Sequence, residues 1–174
     1  KKSVREYRFN DYSDLIYHFV WRDFCDWYIE FMKPIFNSGN EFEIIEIESG
    51  EKNKNISTCN IIWEELTKHE FNRNSILINL GGGVIGDIGG LCASTYKRGI
   101  DFIQIPTTLL AMTDASIGGK VGVNLNGLKN QVGLFSNPKS VIINSLFLKT
   151  LSDKELKAGF AEVVKHALIS DENL

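Results

Sequence analysis

The sequence predicts an α/β fold, a Rossmann-like parallel sheet with crossover helices. Two observations support this prediction. Short apolar runs of strand length alternate with helix-like segments from residue 57 to residue 144, and that order is typical of parallel strands joined by crossover helices. A glycine run at residues 81–90, GGGVIGDIGG, stands between a strand-like run and a helix-like segment. Nucleotide-binding folds carry a glycine turn at that place.

Composition excludes several classes of protein. The 174 residues are 43% hydrophobic, which is enough for the core of an ordinary domain. The 19 Lys and Arg nearly balance the 22 Asp and Glu, so we expect no nucleic-acid partner and no anionic membrane. Cys25, Cys59 and Cys92 lie far apart, which argues against a disulfide framework and fits a cytoplasmic protein. No apolar run approaches the roughly 18 residues of a membrane span.

The N-terminal segment allows two interpretations. Apolar residues recur at three-to-four spacing from Ile16 to Ile35, which favours one amphipathic helix. Alternatively, residues 15–21 form a strand, and Asp23 caps a helix that runs to about Phe36. After a turn signal, residues 42–47 alternate apolar with acidic side chains, so we predict a strand there.

The middle of the chain contains the clearest element order. Residues 57–69 have apolar side chains at helical spacing, and residues 75–80 read as a buried strand. The glycine run then opens a helix that continues to about Tyr96. Residues 102–105 form the next strand, which we expect Pro106 to stop.

The remaining elements are less regular. Residues 106–116 predict the start of a helix, with proline in its first turn. Residues 118–137 are too rich in glycine and asparagine to be packed secondary structure throughout, and long loops of this kind are usually functional. Residues 141–144 form a last short strand. Ser152 and Glu155 make a capping box for a helix that runs to about Ile169.

A glycine motif offers the first candidate binding site. Gly81, Gly83 and Gly86 satisfy GxGxxG between a strand and a helix, where backbone N–H groups and the helix N-terminus favour a diphosphate. A tight turn without a ligand is the alternative. The acid expected about 20 residues later would be Asp101, which precedes the next strand, so Asp87 is the better candidate for a dinucleotide contact.

Several basic residues flank glycine- or amide-rich stretches. Arg98, Lys120, Lys129 and Lys165 are placed to bind a phosphorylated, carboxylated substrate, although each taken singly resembles an ordinary surface cation. A Walker A loop is excluded, because Val121 follows Lys120 where a serine or threonine would hold magnesium.

The last helix carries a possible metal-binding pair. Glu162, Lys165 and His166 share one helix face, and a glutamate and a histidine four residues apart can bind zinc. Catalytic zinc needs three protein ligands, and His18 and His69 lie far off in sequence. We therefore expect His166 to be structural.

These stretches together resemble 3-dehydroquinate synthase, a member of the sugar-phosphate cyclase superfamily. The resemblance runs from about Gly50 to the end of the chain and rests on eight segments in order: GEKNK at 50–54, GGGVIGD at 81–87, YKRG at 96–99, IPTTLLA at 105–111, DASIGGK at 114–120, LKNQVG at 128–133, FLKTL at 147–151 and AGFAEVVKHA at 158–167.

The resemblance implies a function and a set of site residues. The family uses NAD and a divalent metal, zinc or cobalt, to convert a seven-carbon phosphorylated keto acid to 3-dehydroquinate, a carbon-oxygen lyase reaction of the shikimate pathway and aromatic amino acid biosynthesis. The implied NAD contacts are Glu51, Lys54, Gly83, Val84, Ile85, Gly86, Asp87, Thr107, Thr108, Asp114, Lys120, Lys129, Phe147, Leu148, Lys149 and Thr150. The implied substrate-binding and catalytic residues are Lys120, Asn130, Arg98 and Lys165, and Glu162 is the implied first metal ligand.

The resemblance also implies a larger organisation. Residues 1–150 would form the NAD-binding α/β domain, and residues 151–174 would begin a helical metal and substrate domain whose two histidine ligands are absent, so we expect the fragment to be inactive alone. A homodimer is expected, with Arg98 reaching across its interface. Asp23 to Cys25 match the family's Asp-x-Asn poorly, yet the resemblance favours the strand interpretation of residues 15–21. A different sugar-phosphate cyclase and a non-catalytic NAD-binding module remain as alternatives.

Overall fold

The structure, a computed structural model, describes residues 42–170, and the described residues from Ile45 onward belong to one compact unit. It confirms the α/β class. The elements are the helices α1 (Ile56–Lys68), α2 (Gly83–Thr95) and α3 (Asp153–Ser170), and the strands β1 (Ile76–Gly81), β2 (Asp101–Pro106), β3 (Lys120–Leu125), β4 (Leu128–Phe135) and β5 (Ser140–Val141).

A parallel sheet positions the glycine turn. Its strand order is β1-β2-β5, and β1 and β2 pair in register from Ile76 opposite Asp101 to Gly81 opposite Pro106. The N–H of Thr107 donates to the carbonyl of Gly81 at 2.9 Å. Since parallel strands end at one edge, the glycine turn after β1 and the threonine pair after β2 lie side by side.

Helix α2 forms the centre of the core. All residues from Ile88 to Ala93 are buried, as expected of a helix that is apolar all round. It packs against β1, β2, β3 and α1, and Gly90 permits the close approach of β3, because a Cβ there would collide with the side chain of Val121. The buried cluster comprises Cys59, Ile62, Leu66, Ile88, Leu91, Cys92, Ala93, Tyr96, Ile100, Phe102, Val121 and Val123.

Residues 118–137 are mostly an antiparallel hairpin, so the prediction of a long functional loop is wrong for this segment. Strands β3 and β4 pair from Lys120 opposite Phe135 to Leu125 opposite Leu128. Between them, Asn126 and Gly127 have φ values of 50° and 80°. Two consecutive positive φ values define the type I′ turn, which matches the twist of paired strands.

The strand predicted at residues 42–47 is also wrong, since the structure assigns no strand to residues 42–49. Ile45 and Ile47 pack against the core, whereas Phe42 and Ile44 are exposed. The side chains alternate as in a strand, but the ladders formed by the described strands do not include this segment. Both interpretations of residues 15–36 fall outside the described residues.

The other predicted elements are confirmed with small shifts of boundary, except that the strand predicted at residues 141–144 is shorter and comprises only Ser140–Val141. Helix α1 begins after Asn55, whose side chain accepts from the N–H of Thr58 at 3.0 Å. The helix predicted from Pro106 contains a π-helical stretch at Ala111–Ala115. Helix α3 is capped as expected, because the N–H of Glu155 donates to the Ser152 hydroxyl at 3.3 Å. None of the helices in residues 42–170 has the length and apolarity needed to cross a membrane.

Candidate cofactor and metal site

The glycine turn leaves backbone donors free at the start of α2. The first helical bond runs from the N–H of Gly86 to the carbonyl of Gly82 at 3.1 Å, so the N–H groups of Gly83, Val84 and Ile85 have no partner within the helix. Free N–H groups at a helix N-terminus attract a phosphate through both hydrogen bonds and the helix dipole. The turn thus forms a cradle of backbone donors at the place where the sequence predicts a diphosphate.

An open cleft lies directly at this turn. Its lining residues are Gly81, Gly82, Gly83, Gly86, Gln104, Pro106, Ala111, Ala115 and Ser116. A Cβ at Gly83 would lie 3.2 Å from the Cβ of Ala115, inside this lining. The cleft encloses only about 10 Å³, roughly the space of one water molecule, so a diphosphate or a whole dinucleotide at the turn would extend beyond it.

Three polar side chains meet beside α2. The buried ammonium of Lys54 pairs with the carboxylate of Asp87 and donates to Oδ1 of Asn130 at 2.6 Å. These residues come from three separate parts of the chain: the segment before α1, the first turns of α2, and β4. The sequence predicts all three as site residues, and the structure brings them together.

Asp87 is a perturbed acid within this group. Burial raises the pKa of Asp87 above its ordinary value of 3.8, and the charges of Glu51 and Asp114 act in the same direction. The hydrogen bond and charge of Lys54 oppose that rise. Perturbed acids beside a cleft are typical of functional sites, which supports Asp87 as a residue of the cofactor side.

An exposed polar layer covers the Lys54 group. Oε1 of Glu51 accepts from the side-chain amide of Asn124 at 3.0 Å and lies 3.9 Å from Nζ of Lys129. Asn124 is a residue that sequence reasoning missed. Its role depends on the pairing of β3 with β4, whose sequence signal is the Asn126–Gly127 turn between them.

A second cluster joins α3 to the π-helical stretch. One ligand atom each of Asp114, Glu162 and His166 lies within 4.8 Å of the other two. Lys165 pairs with Glu162, and its Nζ lies 3.9 Å from Oδ1 of Asp114. Gly159 permits this meeting, because a Cβ there would lie only 2.5 Å from the backbone nitrogen of Leu110. Gly159 lies one helical turn before Glu162, and Leu110 lies one turn before Asp114. The close approach of α3 to residue 110 therefore brings the cluster residues together.

The cluster provides the ligand atoms that a divalent transition metal prefers. Two carboxylates and an imidazole match the oxygen and nitrogen ligands of zinc sites. Glu162 is therefore placed as the sequence predicts, with Asp114 beside it. His166 is half exposed and its Nε2 lies 3.6 Å from Asp114. Spacing along the last helix shows only two candidate ligands, Glu162 and His166. The third, Asp114, is brought to them by tertiary packing.

Of the other predicted residues, Thr108 contacts the glycine turn, whereas the others lie on separate elements of the chain. Thr108 lies next to the glycine turn, where its Cγ2 would be 3.2 Å from a Cβ at Gly82, and its hydroxyl accepts from the N–H of Ala111 at 3.2 Å. Lys120 is exposed at the start of β3. Phe147, Leu148, Lys149 and Thr150 form most of a 3₁₀ helix, Ser145–Thr150, that follows β5.

Arg98 is not brought to the site within this chain. It is exposed after α2, in the 3₁₀ helix Tyr96–Arg98. At 1.5 Å per residue, α2 separates it from the glycine turn by roughly 18 Å. A contribution from Arg98 would therefore have to come from a second copy of the chain, as the resemblance implies.

Comparison with known proteins identifies the family. The family model described as 3-dehydroquinate synthase N-terminal matches residues 44–158. A second family model, the anticodon-binding domain of tRNA ligase, matches residues 1–69, most of which lie outside the described range. A 3-dehydroquinate synthase of Acetivibrio thermocellus is 52% identical over 143 residues, which are 82% of this chain and 40% of that protein. Another, of Sulfurovum sp., is 52% identical over 76% of this chain and 38% of that protein.

Solved structures agree with this assignment. A 2-deoxy-scyllo-inosose synthase complexed with carbaglucose-6-phosphate, NAD+ and Co2+ has a TM-score of 0.72 and 31% identity, over 80% of this chain and 38% of that one. A 2-epi-5-epi-valiolone synthase from Streptomyces hygroscopicus with NAD+ and Zn2+ bound has a TM-score of 0.72 and 34% identity, over 81% and 40%. The chain spans about 40% of the length of the curated relatives it matches. Since the family model covers most of the described residues, the chain belongs to the 3-dehydroquinate synthase family.

Proposed function

We propose that this chain is the NAD-binding part of a 3-dehydroquinate synthase, which converts 3-deoxy-D-arabino-heptulosonate 7-phosphate to 3-dehydroquinate and phosphate. One observation carries the proposal. A cradle of free N–H groups at Gly83, Val84 and Ile85 lies at the carboxyl ends of β1 and β2, where α/β sheets bind their ligands. The family membership supplies the reaction.

The cofactor side would be built around the glycine turn. The diphosphate of NAD would lie on the first turn of α2, next to Thr107 and Thr108. Asp87, Asp114, Glu51 and the 3₁₀ helix Ser145–Thr150 would bind the remainder, together with Lys120 and Lys129. The two cyclase structures with NAD+ bound support this assignment.

The substrate side would be built from cations and one amide. Lys120, Asn130 and Lys165 would bind the carboxylate and phosphate of the keto acid, and Arg98 of a second copy would complete the site in a homodimer. Lys165 suits this role because its ammonium lies beside Asp114 and Glu162 and is protonated throughout the physiological range. A fixed positive charge beside the substrate phosphate favours its departure as an anion.

The metal side would begin at Glu162, with Asp114 and His166 as neighbouring donors. When bound, NAD would take up and return a hydride, and zinc or cobalt would polarise the reacting substrate oxygens. The residues of this chain would orient the substrate between these two groups, and correct orientation alone accounts for a large part of enzymatic rate enhancement.

We further propose that the chain alone binds NAD weakly and has no turnover, because two histidine ligands expected from the family lie beyond its matched part. Cytoplasmic location and the absence of nucleic-acid partners also stay predictions. The test is an NAD+ titration by calorimetry, followed by a phosphate-release assay with the seven-carbon substrate and Zn2+ or Co2+. Absence of NAD+ binding at millimolar concentration would refute the proposal.

A different sugar-phosphate cyclase activity is favoured by the two solved cyclases, which form other products according to their names. This alternative keeps the NAD and metal chemistry and differs in the phosphorylated sugar that the enzyme accepts. A phosphate-release assay on the longer protein, with the seven-carbon acid and with a heptulose phosphate, separates the two. Release from the heptulose phosphate alone would select the alternative.

A further inference from the structure

We propose that Lys54 is a positioning residue that ties the substrate-side hairpin to the cofactor-side helix, and that its ammonium does not grip the cofactor directly. The inference rests on the proposed function, since it assigns Lys54 a task within the same site. It replaces the direct NAD contact that the family resemblance implies for this side chain.

Two of the three N–H donors of the Lys54 ammonium have acceptors inside the protein. Its Nζ pairs with Asp87 of α2 and donates to Oδ1 of Asn130 on β4 at 2.6 Å. A buried ammonium is stable only when its donors are matched by acceptors. Since the residue is also only 5% exposed, little of the ammonium is accessible to a phosphate of a ligand.

The backbone of Lys54 is attached to the same hairpin. Its carbonyl accepts from the N–H of Asn124 at 2.9 Å, and the side chain of Asn124 in turn accepts from the N–H of Asn130 at 2.9 Å. Lys54 therefore contacts both strands of the hairpin, β3 through its backbone and β4 through its side chain. Because Lys54 is attached to the hairpin at two points, it restrains both the distance and the orientation of the hairpin.

The hairpin needs such a restraint at Asn130. The pairs Val123 with Val132 and Leu125 with Leu128 leave Asn124 opposite three residues of β4, which is a bulge. Asn130 lies in the bulge with a φ of 54°, in the left-handed region that non-glycine residues rarely adopt. Conformations of this kind persist where neighbouring groups hold them. Here Lys54 donates to the side chain of Asn130, and the backbone N–H of Asn130 donates to the side chain of Asn124.

The ammonium of Lys54 also contacts the start of α2, through Asp87. Asp87 follows the glycine turn by one helical turn, so the position of its carboxylate is coupled to the backbone donors of the cradle. Bulges beside active sites often aim one side chain. In this site, the aimed side chain would be Asn130, and Lys54 would fix it relative to the cofactor.

The experiment compares Lys54→Met and Lys54→Arg with a matched control, Lys52→Met. The exposed ammonium of Lys52 pairs with Glu48 and with no other residue in the described range 42–170. Backbone hydrogen exchange is measured at residues 124–131, and NAD+ affinity by calorimetry. Lys54→Met should speed exchange of the hairpin about tenfold and weaken NAD+ binding about tenfold. Lys54→Arg should recover part of both effects, and Lys52→Met should match the native chain.

Each other outcome overturns the proposal. Weaker NAD+ binding with native exchange in the hairpin would mean that Lys54 contacts the cofactor itself. Native behaviour in both measurements would mean that Lys54 positions nothing. If the native chain does not bind NAD+, the proposed function fails, and the exchange comparison still decides whether Lys54 restrains the hairpin.

A second pair of variants covers the case in which Lys54→Met does not fold. Asn130→Gly removes the side-chain oxygen that accepts from Lys54, at a position whose φ suits glycine. Asn130→Asp keeps an acceptor for Lys54. Exchange at residues 124–131 should be faster in the first variant and close to native in the second. Equal exchange rates in the two variants would contradict the proposed link.

Discussion

At Asp87, burial and a partner act on one carboxyl in opposite directions. Burial raises its pKa above the ordinary 3.8, and Lys54 limits that rise. A carboxyl whose folded pKa is raised holds its proton more tightly in the folded protein. Its contribution to stability is therefore present below the ordinary pKa and is lost as the pH rises through the folded value.

The first prediction concerns Lys54→Met and pH. Removal of the Lys54 cation should raise the pKa of Asp87 further, because burial and the charges of Glu51 and Asp114, which all raise it, would remain. The variant should therefore lose more free energy of unfolding at neutral pH than in acid, where Asp87 is protonated. Carboxyl titration by NMR and denaturant unfolding at both pH values measure this. Equal destabilisation at the two pH values would contradict the assigned pairing, with Lys52→Met as the control.

The second prediction concerns Gly83→Ala. The added methyl group would lie 3.2 Å from Ala115 in the cleft lining, in the space proposed for the diphosphate. NAD+ affinity should fall at least about tenfold, about 1.4 kcal/mol. The melting temperature should change little, because alanine favours the helix. Calorimetry and thermal unfolding are the measurements, and Thr95→Ala, exposed at the far end of α2, should leave both unchanged.

At the level of elements, the approach of α3 to the π-helical stretch decides whether the metal cluster exists. Gly159 is the buried residue at this contact, and Leu110 lies against it. Because Glu162 follows Gly159 by one helical turn, a small separation at the glycine moves the carboxylate away from Asp114. The cluster therefore depends on a residue that carries no ligand.

The third prediction follows from that contact. Gly159→Leu should weaken Co2+ binding about tenfold, a loss common for residues that support metal ligands. Ala158→Leu adds the same side chain at the neighbouring exposed position and should bind Co2+ as the native chain does. The absorption of bound Co2+ reports the affinity. Equal Co2+ affinities in the two variants would show that the cluster is not the metal site.

The elements that sequence reasoning predicted correctly are those with a local signal. The Ser152 cap, the apolar period of α1 and the glycine turn before α2 each lie within a few residues, and the structure confirms all three. The hairpin has a local signal too, the Asn126–Gly127 turn. The many other glycines and asparagines of residues 118–137 obscure this turn signal in the sequence.

The errors have non-local causes. Residues 42–47 alternate like a strand, but a strand requires a partner, and the sequence does not name one. Asn124 and Asp114 acquire their neighbours through strand pairing and helix packing, which spacing along the chain cannot show. By contrast, Lys54, Asp87 and Asn130 were predicted together because each lies in a segment that resembles the family.

At the level of the whole molecule, we propose that the chain is the part of a cyclase that binds the cofactor. It spans about 40% of its curated relatives, and the exposed apolar side chains of α3 include Leu156, Phe160 and Leu168. The division of the chain at residue 150 into two domains stays a prediction. We therefore expect this chain to bind the cofactor without catalysing turnover.

The fourth prediction tests that separation. With NAD+, Zn2+ and the seven-carbon substrate, this chain should release no phosphate above background, whereas a longer protein carrying the expected histidine ligands should do so. Removal of the metal with a chelator should abolish release by the longer protein and leave NAD+ binding by this chain unchanged. Phosphate release by this chain alone would show that Asp114, Glu162 and His166 suffice as ligands.

We propose that the free N–H groups at the start of α2 bind the diphosphate of NAD. A heteronuclear NMR titration of this chain with NAD+ tests this binding mode, because each backbone amide reports separately. The largest shifts should occur at Gly83, Val84 and Ile85, followed by Asp87 and Thr107. Saturable shifts confined to other parts of the chain, with these amides unmoved, would contradict the claim.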